Sequence, residues 1–177
     1  MRSLAIIAIT LATLSASAQT TPSPSEWNLG GTQQVNALIT SLPAEDQQGI
    51  ERALSQPPAN LRAVRINTPS GHLFLVQVSG NTFCGASGNC TAWVLSSDYK
   101  IVLKTIAQGF KVETPLHAGQ PDIMTTMHGS ATSGNLQQWR FDGVKYNQVA
   151  CASYSYTNSF GDTLRSPHIT PYSCASR

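Results

Sequence analysis

An α+β fold is expected: an antiparallel β-sheet of about six to eight strands with a small N-terminal helical pair. Three features point to it. Short runs rich in β-branched and aromatic residues, separated by turn formers, recur from Leu61 to Asn147. Apolar residues at helical spacing are confined to the segment before Pro58. Four cysteines, two of them enclosing Cys84-Gly85-Ala86-Ser87-Gly88-Asn89-Cys90, supply staples for a modest β-rich core.

The chain opens with Met1-Arg2-Ser3, an apolar run from Leu4 to Leu14, and Ser15-Ala16-Ser17-Ala18. A basic start, a short greasy stretch and an A-x-A ending predict a signal peptide over residues 1–18, cut after Ala18. The run is shorter than the ~20 residues a bilayer span requires. Residues 19–28 are expected to be a flexible lead, polar and Pro-rich from Gln19 to Glu26. Residues 29–177 then form a single disulfide-stapled α+β domain.

Val35, Leu38, Ile39 and Leu42 recur at i, i+3, i+4 and i+7, one apolar face of a first helix. Pro43 starts a second, with Glu45 and Asp46 in its first turn, where the helix dipole favours acids. Ile50, Ala53 and Leu54 form its buried side, and Pro57-Pro58 end it. Leu61–Asn67 and His72–Val78 flank the turn Thr68-Pro69-Ser70-Gly71. The second run is apolar on both faces and reads as a central strand. Thr91–Leu95 and Tyr99–Thr105 flank Ser96-Ser97-Asp98, a hairpin. Strands over Phe110–Thr114 and Asp122–His128 follow. Gln137–Asn147 is a hairpin turning on Asp142-Gly143, a type I′ pair. A two-residue turn places Phe141 opposite Val144, Trp139 opposite Tyr146, and Arg140 opposite Lys145, two like charges that an anion would relieve. The tail from Ser153, with Gly161, Pro167 and Pro171, reads mostly as coil.

Only 11% of the chain is charged, against roughly 25% in ordinary soluble proteins. The eleven Lys and Arg are scattered, without the clustering that phosphate-backbone binding needs, so nucleic acid is not an expected partner. Four cysteines in an exported chain imply two disulfides, with three possible pairings. Cys84–Cys90 and Cys151–Cys174 are preferred because each closes a local loop. The loop-entropy model gives them about 2.4 and about 3.4 kcal/mol, before strain. C-x5-C is not a zinc spacing and no histidine lies near it in sequence, so neither metal nor cofactor is expected.

Candidate chemistry is sparse. Asp122 and His128 share strand parity but stand about 20 Å apart in an extended strand, too far for one metal with His117. His128-Gly129-Ser130-Ala131 lacks the G-x-S-x-G elbow. Glu113 and Asp122 make a poor glycosidase pair. The remaining candidate is the loop around the disulfide ring, whose covalent closure lowers the ordering cost of binding. Its candidate residues are Ser79, Asn81, Phe83, Ser87 and Asn89, joined by Arg140 and Lys145 from the late hairpin.

The ring, together with Trp93-Val94, Tyr99-Lys100, Pro121-Asp122-Ile123, His128-Gly129-Ser130-Ala131 and Arg140-Phe141-Asp142-Gly143-Val144-Lys145-Tyr146, resembles a group of small exported bacterial proteins. Those carry a CGATGNC-like element and a YRFDGKRY-like hairpin; here Ser87 stands for Thr and Trp139 for Tyr. The resemblance spans residues 72–155 and implies fold and export, with no functional residues to transfer. Gly119–Tyr146 is similar to one blade of an FG-GAP-type propeller. Ser79-Gly80-Asn81-Thr82-Phe83 is similar to the SGxxY loop of periplasmic lysozyme inhibitors, with Phe83 in place of Tyr. The first functional expectation is therefore a periplasmic or secreted, non-enzymatic binding or inhibitor-like module whose partner is an envelope or extracellular protein. The alternatives are an exported hydrolase using His117 or His128, and a structural accessory protein without a site.

Overall fold

The computed structural model describes residues 27, 35–57, 60–80, 84–156 and 167–174. The expected signal segment and most of the lead lie outside the described residues. Among the latter, nine strands form two antiparallel sheets, each an unbroken meander. Sheet 1 holds β1 (Leu61–Thr68), β2 (Gly71–Val78), β3 (Cys90–Ser96) and β4 (Ile101–Ala107) in that order. Sheet 2 holds β5 (Gly109–His117), β6 (Gln120–Ser130), β7 (Ser133–Phe141), β8 (Tyr146–Ser155) and β9 (His168–Tyr172). The chain passes from one sheet to the other through Gln108 alone.

The sheets pack face to face. Leu73, Leu75, Ala92, Val94 and Val102 of sheet 1 meet Phe110, Ile123 and Tyr146 of sheet 2 in one buried cluster. The outer face of sheet 1 carries Leu61, Ala63, Phe74, Val76, Val78, Trp93 and Leu95, and packs on Ile50 of α1 (Ala44–Leu54) and on Ile39. β2 is thus buried on both sides from Leu73 to Val78, which is why it is apolar on both faces from Leu73 to Val76. On the outer face of sheet 2, Met124, Leu136, Ala150, Ala152 and Tyr154 bury Trp27, the one described residue of the lead.

α1 begins after Pro43 with Glu45 and Asp46 in its first turn and ends at Ser55, in the left-handed conformation. Asp46, 2% exposed, accepts a hydrogen bond from the Tyr99 hydroxyl at 2.9 Å and pairs with Arg65 at 3.3 Å. Tyr99 stacks on Phe74 at 5.6 Å between ring centroids and lies so close to α1 that only a glycine fits at Gly49. Helix and sheet are keyed together here.

Four expectations need correction. The helical pair is one α-helix plus a 3₁₀ turn, Ile39–Ser41. The backbone at Ala37 and Leu38 instead pairs with the edge of β1: Ala63 N–H donates to Ala37 C=O at 2.9 Å, and Leu38 bridges Arg62. The single sheet of six to eight strands is two sheets of four and five. Within the tail, β8 runs to Ser155 and His168–Tyr172 is a strand; Pro171 is tolerated there because β9 is an edge. Finally, Arg140 faces Asn147, and not Lys145. Asp142 Oδ1 accepts the N–H groups of Val144 and Lys145 at 2.8 and 2.9 Å, which widens the connection to the four residues 142–145.

A candidate binding cleft beneath the disulfide ring

Both disulfides pair as preferred, Cys84–Cys90 and Cys151–Cys174. The smaller ring joins β2 to β3, and its two cysteines face each other as an antiparallel bridge. Gly85 and Asn89 close the loop by a 3.0 Å backbone bond, and Gly88, with φ of +76°, turns the chain where a side chain would be strained.

Asn89 fixes the ring to sheet 2. Its Nδ2 donates to His128 C=O at 2.8 Å, and its Oδ1 accepts from His128 N–H at 2.9 Å. The physical reason lies in the topology. β5 starts at Gly109, opposite Thr126, where Gln108 N–H donates to Thr126 C=O at 2.7 Å. Two residues further along β6, His128 presents its backbone groups to the same side with no β5 residue to meet them. The Asn89 carboxamide takes the place of the missing peptide unit. Its Nδ2 also donates to the Ser87 hydroxyl at 2.7 Å, so the two polar side chains of the ring are turned on the ring's own fold.

Between this ring and the ends of β1 and β2 lies an open cleft of about 240 Å³. Val35, Arg62, Gln77, Ser79, Gly88 and Gln108 line it, with both ring cysteines at its wall. Arg62 and Gln77 are direct cross-strand partners. They are the polar members of a stripe that continues through Val64↔Leu75 and Ile66↔Leu73 into the inter-sheet core. The sandwich interior therefore becomes polar as it opens. Gln77, 6% exposed, is anchored by donating to Ala107 C=O at 2.7 Å. Arg62 Nη1 donates to Asn36 Oδ1 at 3.4 Å, while its Nε is buried without a hydrogen-bond partner. Among the described residues, no carboxylate lines the cleft.

Of the loop residues nominated from sequence, Ser79 lines the cleft and Ser87 lies exposed on the ring. Asn89 is the clamp to β6, and Asn81 and Phe83 fall outside the described residues. Arg140 and Lys145 belong to the opposite end of the sandwich. Arg140 is not poised for an external anion: Nε and Nη2 both donate to Asp122 Oδ2 at 3.3 Å. Lys145 stands exposed in its loop. Arg62, Gln77 and Gln108, which dominate the cleft, carried no recognisable motif.

The histidines do not converge. His117 Nδ1 and Asp122 Oδ1 are 2.8 Å apart, with Asp122 fully buried between His117 and Arg140. The turn between β5 and β6 has positive φ at both Ala118 (48°) and Gly119 (81°), as a two-residue type I′ turn requires, and sets His117 across from Gln120 on the face of Asp122. His128 lies at the other end of β6, with its ring against Tyr154. Among the described residues, no hydroxyl or thiol is bonded to the His117 ring, and no group of three or more His, Cys, Asp or Glu is placed to hold a metal ion. Comparison with family models, with curated proteins and with solved structures gives no match.

Proposed function

We propose that this chain is an exported, disulfide-stapled binding module, non-enzymatic and inhibitor-like, that takes a segment of an envelope or extracellular protein into the cleft beneath the Cys84–Cys90 ring. The observation that carries this reading is the cleft itself: concave, rimmed by a covalently closed loop, and floored by an arginine with a buried, unpartnered N–H. Two disulfides, and the absence of any helix long and apolar enough to cross a membrane among the described residues, accord with a periplasmic or secreted setting. The likeness of residues 72–155 to a group of small exported bacterial proteins supports this reading through export alone.

Ser79→Tyr tests it, because Ser79 lines the cleft and the added ring would occupy it. The mature protein is screened by fluorescence against an array of random heptapeptides. Binders lost in Ser79→Tyr, at unchanged melting temperature, are expected; an array on which the two proteins bind alike would sink the proposal. The His117–Asp122 pair favours a second reading, an exported hydrolase, since a carboxylate holding an imidazole is the orienting half of a general base. Esterase, glycosidase and peptidoglycan turnover that survives His117→Asn would remove it.

A further inference from the structure

We propose that Arg62 makes the cleft a receptor for a carboxylate, borne by the acidic side chain or the C-terminus of a bound peptide. This rests on the cleft being the binding site. Four other cations among the described residues are already paired: Arg65 with Asp46, Lys100 with Asp98, Lys111 with Glu113, and Arg140 with Asp122. Arg62 has only the neutral Asn36, at 3.4 Å, on Nη1. That contact engages one side of the guanidinium. The Nε–H and Nη2–H edge is the side that matches the two oxygens of a carboxylate in parallel bonds. Nε is buried and unpartnered, and Nη2 has no acceptor among the described residues. A buried donor without an acceptor is a standing cost, and a carboxylate held first by the Nη2 side, with a small shift of the groups that cover Nε, would remove it.

Size and charge narrow the class. The open cleft of about 240 Å³ has room for a carboxylate and its stem. Among the described residues one arginine lines it, with no second Lys or Arg, which matches a monoanion better than a phosphate, an anion that several cations usually share. The stiff ring wall and the anchored Gln77 leave little to order on binding.

The test is a ¹H–¹⁵N titration of the mature protein, following the Arg62 Nε–H resonance and the backbone amides of Ser79 and Gly88. The probes are N-acetyl-Ala₃ with a free C-terminus, the same peptide as its C-terminal amide, N-acetyl-Ala-Glu-Ala-amide, and inorganic phosphate. The expected result is a shift of the Nε–H with one or both acid-bearing peptides and none with the amide; which acid is preferred distinguishes terminus from side chain. Arg62→Gln should weaken the acid peptide about 10- to 100-fold, and Arg62→Lys less, since it keeps the charge but not the fork. Unchanged melting of both variants shows that the fold is intact. Cleft amides that respond equally to the acid and amide peptides, or only to phosphate, or an affinity unmoved in Arg62→Gln, overturn the carboxylate assignment and leave the cleft a binding site. Cleft amides that respond to no probe overturn both readings.

Discussion

Replacing Asn89 by alanine isolates the contact between the ring and sheet 2. The substitution removes three hydrogen bonds: two to the backbone of His128, at 2.8 and 2.9 Å, and one to Ser87 at 2.7 Å. The Ser87 hydroxyl is exposed and recovers water, so its loss costs little. The His128 N–H and C=O are part-buried and lose their only substitute for a β5 neighbour. Two neutral bonds at a net ~1 kcal/mol each, with incomplete rehydration, give about 1–3 kcal/mol. For a domain of this size that lowers the melting temperature by about 2–12 °C. Thermal melting with hydrogen exchange at the His128 amide is the assay, and faster exchange there should accompany the drop. Ser87→Ala is the control, expected within about 0.5 kcal/mol of the parent. Asn89→Asp should recover only part of the loss, because its carboxylate still accepts from His128 N–H but sets a negative oxygen against His128 C=O. An Asn89→Ala protein that melts with the parent and keeps its His128 protection would refute the strand-substitute argument.

Gly49→Ala should destabilise by about 1–3 kcal/mol in urea unfolding although alanine is the better helix former, because its Cβ would lie 2.5 Å from a Tyr99 ring held by Phe74 and Asp46. A variant as stable as the parent would show that the ring can move. Burial, and secondarily the negative charge of Asp122, raise the pKa of Tyr146 above its ordinary 10.0. A group raised on folding stabilises fully below its unfolded pKa and loses that contribution above it. Stability should therefore fall once pH passes about 10, and Tyr146→Phe, which forfeits the bond to Pro121 C=O, should start lower but fall less steeply between pH 9 and 11. Asp122→Asn should cost about 1–3 kcal/mol, limited because His117 and Arg140 are 35% and 33% exposed; a double-mutant cycle with Arg140→Met should return a coupling above about 0.5 kcal/mol.

The strands of sheet 1 were legible because their faces are. β2 is apolar without interruption from Leu73 to Val76 since α1 covers one side and sheet 2 the other. The first helix misled because helical spacing is a statement about one face, and Val35, Ile39 and Leu38 serve three different ends. Val35 enters the inter-sheet core, Ile39 packs under α1, and Leu38, 53% exposed, lies along β1. An open strand edge needing hydrogen-bond partners outweighed the periodicity. The division into two sheets left almost no trace, since a meander reads alike whether or not it folds over itself, and the fold-over uses one residue, Gln108.

The site was half legible for a related reason. Loop chemistry drew attention to Ser87 and Asn89, yet a small polar residue in a tight ring is also what the ring needs for its own bonding, and Asn89 is consumed by His128. Arg140 and Lys145 looked like a pair only under a two-residue turn; the Asp142 carboxylate sets a longer one, and Arg140 then finds Asp122. The residues that shape the cleft sit on strands, and their one signal was negative. Gln77 interrupts an apolar run, and Arg62 interrupts Leu61-Arg62-Ala63-Val64 beside it. A polar side chain in the most buried strand of a sheet is costly unless something meets it. Gln77 is met by Ala107, within the fold. Arg62 is met only in part, by Asn36, its Nε stays buried without a partner, and its side chain lines the cleft. A tyrosine at position 79 and a glutamine at position 62 therefore probe different properties of one place: the first its volume, the second its charge.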